Sequence, residues 1–256
     1  MSKIKNAFEN GKAFIGFVTA GDPDLETSEQ IMLSMAKAGC DLIEIGIPFS
    51  DPIAEGPVIQ EANLRSLSQG TTTDKVFELT KKVSAQVDIP LVYMTYLNVL
   101  FKYGYDRFLQ NAKDAGISGV IIPDMPYEEK DELQSVAKNY GIDVVSLIAP
   151  TSEDRIKMIA KEAEDFVYTV SSLGVTGTRS EIKTDLESIT SAIKEVTDTP
   201  VAIGFGINTP EQAAKYSKIA DGVIVGSAIV KIIAEHGTAS PQKVYDYVKS
   251  MKDAIR

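Results

Sequence analysis

Two glutamates stand out in the stretch "LIEIGIPFSDPIAEGPVIQ", residues 42–60. Glu44 interrupts an apolar run, and Glu55 follows in a loop that carries Pro48, Pro52, Gly56 and Pro57. Side chains alternate across a strand. Ile43, Ile45 and Ile47 therefore share one face, and Leu42, Glu44 and Gly46 share the other. Three isoleucines belong against covering helices, which turns Glu44 inward. An ionised carboxylate there is costly, so its pKa rises toward the range useful for proton transfer at neutral pH. The prolines restrict the following loop, which could hold Glu55 in place as a second acid–base group. Two plainer readings stay open: Glu44 as a structural acid paired to a buried donor, and Glu55 as a solvated loop residue.

A second kind of chemistry is suggested by glycines. "GVTGT" (174–178), "GFG" (204–206) and "GS" (226–227) end three successive apolar runs, and Ser227 leads into the helix-like "SAIVKII". Main-chain amides at a helix N-terminus attract phosphate without a basic side chain. The expected donors are the amides of Gly177, Gly206, Gly226 and Ser227. Phe17, Met94, Ile122 and Phe205 end other runs and could hold a flat apolar group, with Tyr168 adding a hydroxyl. Taken singly each reads more readily as barrel core; together with the carboxylates they suggest a ligand with a flat apolar end and a phosphate end.

These residues need a scaffold that brings strand ends together. Eight short apolar runs recur: 13–20, 41–46, 90–96, 118–124, 143–150, 165–172, 200–206 and 221–227. Stretches with helical periodicity lie between them, several followed by a glycine of the kind that ends helices. Strands alternating with helices imply a parallel sheet. Eight such units in 256 residues predict an α/β fold, a (β/α)8 TIM barrel in one domain spanning 1–256, with extra helices over 1–10 and 240–256. An open doubly wound sheet is the rival. In a barrel, chemistry sits at the C-terminal ends of the strands, where both glutamates and all three glycine loops fall.

Composition narrows the partners. A formal net charge of −10 disfavours nucleic acid and anionic membrane surfaces. No apolar run has membrane length, and the single cysteine, Cys40, allows no internal disulfide. Both fit a cytoplasmic protein. One histidine, His236, and one cysteine argue against a His/Cys metal centre or a histidine-based triad, and no spacing suggests a carboxylate cation site.

"EIGIPFSDPIAEGPVIQEANLRSL" resembles the signature loop of the tryptophan synthase alpha subunit family. "FVTAGDPD", "IIPDMPYEE", "SSLGVTGTR", "GFGIN" and "DGVIVGSAIV" follow that family's order, so the resemblance covers nearly the whole chain. It implies retro-aldol cleavage of indole-3-glycerol phosphate to indole and glyceraldehyde 3-phosphate. It implies no cofactor in this chain, and a beta subunit carrying pyridoxal phosphate that receives the indole in an alpha2-beta2 complex. It further implies that Glu44 and Glu55 are catalytic, that Tyr168 and Thr176 orient the reacting region, and that Asp51 and Asn98 lie near the partner. For Asp51 a turn cap is the equal alternative.

Composition agrees with this chemistry. No apolar run contains a lysine for a Schiff base, and a metal-dependent aldolase would need several histidines. What remains is a substrate that supplies its own electron sink, leaving acid–base groups and a phosphate anchor to the protein. One departure stands out: the family commonly has aspartate where this chain has Glu55. An alpha-like subunit that mainly activates its partner is therefore the second expectation. The loops over 48–57 and 172–184 are expected to move at the barrel mouth.

Overall fold

The apolar runs become parallel strands because each is buried on both faces. The computed structural model describes residues 3–170, 185–204 and 206–256. Its strands are β1 (Ala13–Thr19), β2 (Leu42–Gly46), β3 (Leu91–Met94), β4 (Gly119–Ile121), β5 (Asp143–Val144), β6 (Ser146–Ile148), β7 (Val167–Val170), β8 (Val201–Gly204) and β9 (Gly222–Val225). Helices α1 (Leu25–Ala38), α2 (Pro57–Ser68), α3 (Thr73–Ser84), α4 (Leu97–Tyr103), α5 (Tyr105–Asp114) and α6 (Lys130–Tyr140) belong to the first half. Helices α7 (Glu153–Lys161), α8 (Leu186–Lys194), α9 (Pro210–Tyr216), α10 (Ser227–His236) and α11 (Ser240–Ala254) belong to the second.

The strand order is β5-β4-β3-β2-β1-β9-β8-β7-β6, all parallel. Its two ends, β5 and β6, are one bent strand joined through Val145, so the sheet returns on itself as an eightfold (β/α)8 barrel. The eight runs thus match eight barrel positions, and the open sheet is excluded by the β1–β9 pairing.

Alternation sorts the core into two layers. Phe14, Val18, Ile43, Ile45, Tyr93, Val120 and Ile203 pack outward against the helices. Ile15, Leu42, Val92, Ile121, Val145, Tyr168 and Ile224 fill the barrel. Burying one such aliphatic side chain contributes about 1.5–3 kcal/mol, so a one-residue slip of β2 would expose Glu44 to the helices and lose two isoleucines at once. The expected helix over 1–10 is only a 3-10 turn, Lys5–Phe8. Ile4 and Ala7 pack into the inner layer there, and Gly11 (φ +111°) turns the chain into β1 within a few residues.

Helix starts follow local chemistry. Asp24 accepts from Thr27 N at 2.8 Å, and Thr72, Ser152, Asp185 and Thr209 cap α3, α7, α8 and α9 in the same way. Gly39, at φ +99°, ends α1. Cys40 beside it is buried, with its thiol donating to Leu42 O at 3.0 Å and its pKa pushed up to about 12, chiefly by burial.

The contact that matters for the site joins α2 to the end of β1. Arg65 reaches the carboxylate of Asp22 with two bonds of 2.8 Å, and Ser66 Oγ donates to Ala20 O at 2.6 Å. The Asp22 side chain is fully buried. Replacing Asp22 by alanine leaves the guanidinium without its carboxylate. Urea denaturation of the Asp22→Ala variant should show a loss of about 3 kcal/mol; a loss indistinguishable from zero would mean that this pair does not hold α2.

Candidate active site

Glu44 sits on the inner face of β2, in register with Phe17 of β1 and Val92 of β3. Its exposure is 0 %, and neither carboxylate oxygen has a hydrogen-bond partner among the described residues. Among the described residues nothing pairs with Glu44 as a structural acid would require. Burial alone raises the Glu44 pKa to about 8.

Two glycines make room around it. A Cβ on Gly46 would lie 2.6 Å from Phe17 Cζ, and a Cβ on Gly204 would lie 2.8 Å from the Tyr168 ring and hydroxyl. The two aromatic side chains can lie against the barrel wall only because those positions have no side chain. The Tyr168 hydroxyl is held well above its usual pKa, first by burial and then by the charge of Glu44.

Glu55 is the residue just before the Gly56 N-cap of α2. Asn63, two turns along that helix, donates from Nδ2 to Glu55 Oε2 at 2.6 Å. Gln60 Nε2 donates to the Glu55 carbonyl at 2.7 Å, and the Ala54 N–H donates to the Tyr96 hydroxyl at 3.0 Å. Tyr96 also stacks on Phe49, with ring centroids 5.4 Å apart. Loop 48–57 is thus tied at Ala54, at the Glu55 carbonyl and at the Glu55 carboxylate. Glu55 is half-buried, and burial raises its pKa to about 7 against the lowering bond from Asn63.

Both carboxyls face one cavity of about 540 Å³. Phe17, Met94, Ile122 and Tyr168 line it as expected, and so do Gly206, Gly226 and Ser227. Gly226 is the N-cap of α10 with no side-chain cap, and Ser227 is its first residue. Amides at such a start lack intrahelical partners. Gly206 adopts φ +88°, a left-handed turn suited to glycine. The chain therefore brings two acids, an apolar wall and a helix N-terminus to one space. Thr176, Gly177, Phe205 and the 172–184 loop lie outside the described residues. Asp51 and Asn98 are exposed and do not line the cavity. No group of three His, Cys, Asp or Glu side chains that could hold a metal occurs among the described residues.

Sequence reasoning missed Asn63, Tyr96 and Lys130. Asn63 carried a usable signal, since a residue two turns beyond Glu55 falls on the same helix face. Tyr96 carried only its position at the end of the third run. Lys130 lies in a polar helical stretch and had no signal, yet it lines the cavity.

With the geometry in hand, the comparisons are consistent. The family model described as tryptophan synthase alpha chain matches residues 3–256. A tryptophan synthase alpha chain of Lactiplantibacillus plantarum is 50% identical over 256 residues, covering 100% of this chain and 97% of the relative. The crystal structure of tryptophan synthase subunit alpha from Legionella pneumophila superposes with a TM-score of 0.90 at 36% identity, over 100% of this chain and 98% of that one. The tryptophan synthase a2b2 complex from Pyrococcus furiosus contains a chain that superposes with a TM-score of 0.87 at 35% identity, over 95% and 99%.

Burial of Glu44 has a consequence for stability. Its carboxyl is neutral in the fold up to about pH 8 but ionises near 4.5 when unfolded. The folded state therefore loses stability as pH rises between those values. Thermal melts should show Glu44→Gln close to the parent at pH 5 and clearly more stable at pH 8. A constant difference across that window would contradict the buried neutral acid.

Proposed function

The chain belongs to the tryptophan synthase alpha chain family and is a lyase that cleaves indole-3-glycerol phosphate to indole and glyceraldehyde 3-phosphate; we propose that Glu44 and Glu55 carry this reaction. The observation that supports the assignment most is the unpartnered, inward Glu44 carboxyl in the cavity. At neutral pH it holds a proton, and among the described residues no hydrogen bond competes for it.

Bond cleavage needs the indole ring to accept an electron pair. Glu44 gives its proton to ring carbon C3, which converts the indole to an iminium-like tautomer. The carboxylate so formed takes the proton from the glycerol hydroxyl next to that carbon. As the hydroxyl becomes the aldehyde carbonyl, the carbon–carbon bond breaks and its electrons return to the ring, giving indole. Glu55, with a pKa of about 7, supports the cationic ring nitrogen during the tautomeric state. Two acids whose environments set different pKa values divide the work. The longer Glu55 arm fills the role of the family's usual aspartate, because Asn63 draws its carboxylate toward α2 at 2.6 Å.

The ring lies against Phe17, Met94 and Ile122, and the Tyr168 hydroxyl helps to orient it. Thr176 and Phe205 have matching roles in this reading. In this reading the phosphate binds at the start of α10 through the Gly226 and Ser227 amides, with the amides of Gly206 and Gly177 as further donors. The positive end of the α10 dipole suits a dianion in a chain of net charge −10.

We also infer a beta subunit as partner, bearing pyridoxal phosphate and assembled as alpha2-beta2. Support comes from the likeness to a chain of the Pyrococcus furiosus complex and from the mouth of this barrel. Ile53 is 74% exposed beside Glu55, and Phe101 is 71% exposed on α4, near Asp51 and Asn98 in sequence. Large apolar side chains left in water mark an interaction surface. A cytoplasmic location belongs to the same reading; among the described residues no helix is long and apolar enough to cross a membrane.

Indole release from indole-3-glycerol phosphate tests the assignment, with and without a beta subunit. Glu44→Gln should lower kcat by about a hundredfold or more, and a value within a few-fold of the parent would remove Glu44 from the chemistry. Glu55→Asp should keep most activity and Glu55→Ala should lose it; full activity in Glu55→Ala overturns the second role. For the partner surface, Ile53→Asp combined with Phe101→Asp should weaken beta-subunit binding by at least about tenfold in titration calorimetry, while unchanged affinity would place the interface elsewhere.

A further inference from the structure

The cavity extends past the barrel interior at one seam in its wall. β5 pairs with β4, whereas β6 pairs with β7. The last link between the fourth and fifth barrel positions is Val145 N to Val120 O at 3.0 Å. Beyond it the cavity is lined by Ile122 and Pro123 on one side and by Ser146 and Leu147 on the other.

Lys130, the first residue of α6, ends in this seam. It is 6% exposed, and its Nζ donates to Ser146 Oγ at 2.8 Å. It makes no ion pair among the described residues. The nearby guanidinium of Arg155 is already engaged by both oxygens of Glu128, at 2.7 and 3.1 Å. Burial lowers the Lys130 pKa, and Lys138 acts the same way, against the opposing pull of Glu162, Glu164 and Asp131. The positive end of α6 further disfavours an ammonium at its first residue. A lysine desolvated in an apolar pocket in this manner is a nucleophile toward carbonyl groups.

We propose that Lys130 is a carbonyl-capture site, whose amine condenses reversibly with a small phosphorylated aldehyde in the cavity. The Nζ lone pair forms a bond to the aldehyde carbon, and the carbonyl oxygen takes a proton to give a carbinolamine. That hydroxyl then leaves as water while nitrogen loses its remaining proton, leaving an imine. The balance is one amine plus one aldehyde giving one imine plus one water, with no oxidant or reductant. Ser146 is placed to pass the protons. The supply of aldehyde rests on the cleavage proposed above, because that reaction releases one in the same cavity; the capture step itself does not. Lys130 would then act as a covalent product brake, separate from the proton transfers of Glu44.

The test supplies the aldehyde directly, so it is independent of cleavage activity. The full chain is incubated with glyceraldehyde 3-phosphate and cyanoborohydride at neutral pH, digested, and mapped by mass spectrometry. A lowered amine pKa raises the share of neutral, reactive amine, so Lys130 should be labelled faster than the exposed lysines. Lys130→Arg should lose the fast adduct and keep the slow ones. Labelling spread evenly over exposed lysines of the folded parent, with Lys130 at or below their rate, would overturn the proposal without recourse to any variant.

Discussion

The burial of one unpartnered carboxyl constrains the rest of this structure. Glu44 sits at 0% exposure with both oxygens unbonded among the described residues. Ionised, it would cost several kcal/mol, on the order expected for an uncompensated buried charge. The fold tolerates it because the neutral acid is the ground state at physiological pH. That neutrality depends on the burial of the inner face of β2 within the closed barrel. The outward isoleucines at 43 and 45 fix which face is inner, and they do so by packing in the outer core.

The second acid is held differently. Glu55 belongs to a loop, and a loop residue needs anchors from elsewhere to have a fixed position. Asn63 and Tyr96 provide them, one from α2 and one from the end of β3. α2 is itself moored to the end of β1 by Arg65, Asp22 and Ser66. A chain of short bonds therefore runs from the end of a barrel strand to the loop that carries Glu55. The two acids differ in the way their environments differ: full burial for one, partial burial with an amide bond for the other.

The proposed phosphate site shows the same economy of means. The chain carries a formal charge of −10, and the one arginine that lines the cavity among the described residues, Arg155, is paired with Glu128. The start of α10 offers amides and a dipole end instead, at a position set by the last strand of the barrel. Lys130, buried in the cavity wall, makes no ion pair among the described residues, which is an unusual state for a lysine.

The eightfold barrel was legible in the chain, because strand and helix periodicities are local and survive without long-range information. The inward aim of Glu44 was legible for the same reason: alternation over five residues decides it. The cavity-lining glycines at 206 and 226 were visible as helix and turn signals. Other features were not. The 3-10 turn at the N-terminus replaced an expected helix because Ile4 and Ala7 are taken up by the barrel interior. The bend that splits the fifth barrel position into β5 and β6 depends on which neighbours each half pairs with, and so does the seam it opens beside Lys130. The Asn63 and Tyr96 anchors, and the pairing of Asp22 with Arg65 across 43 residues, are distances that only closure of the barrel creates. Sequence alone determined the periodic elements and the face each residue takes, since those follow from bonds between near neighbours. Tertiary structure decided which side chains meet and how dry they are, since hydrogen-bond partners and dielectric are set by residues far apart in the chain.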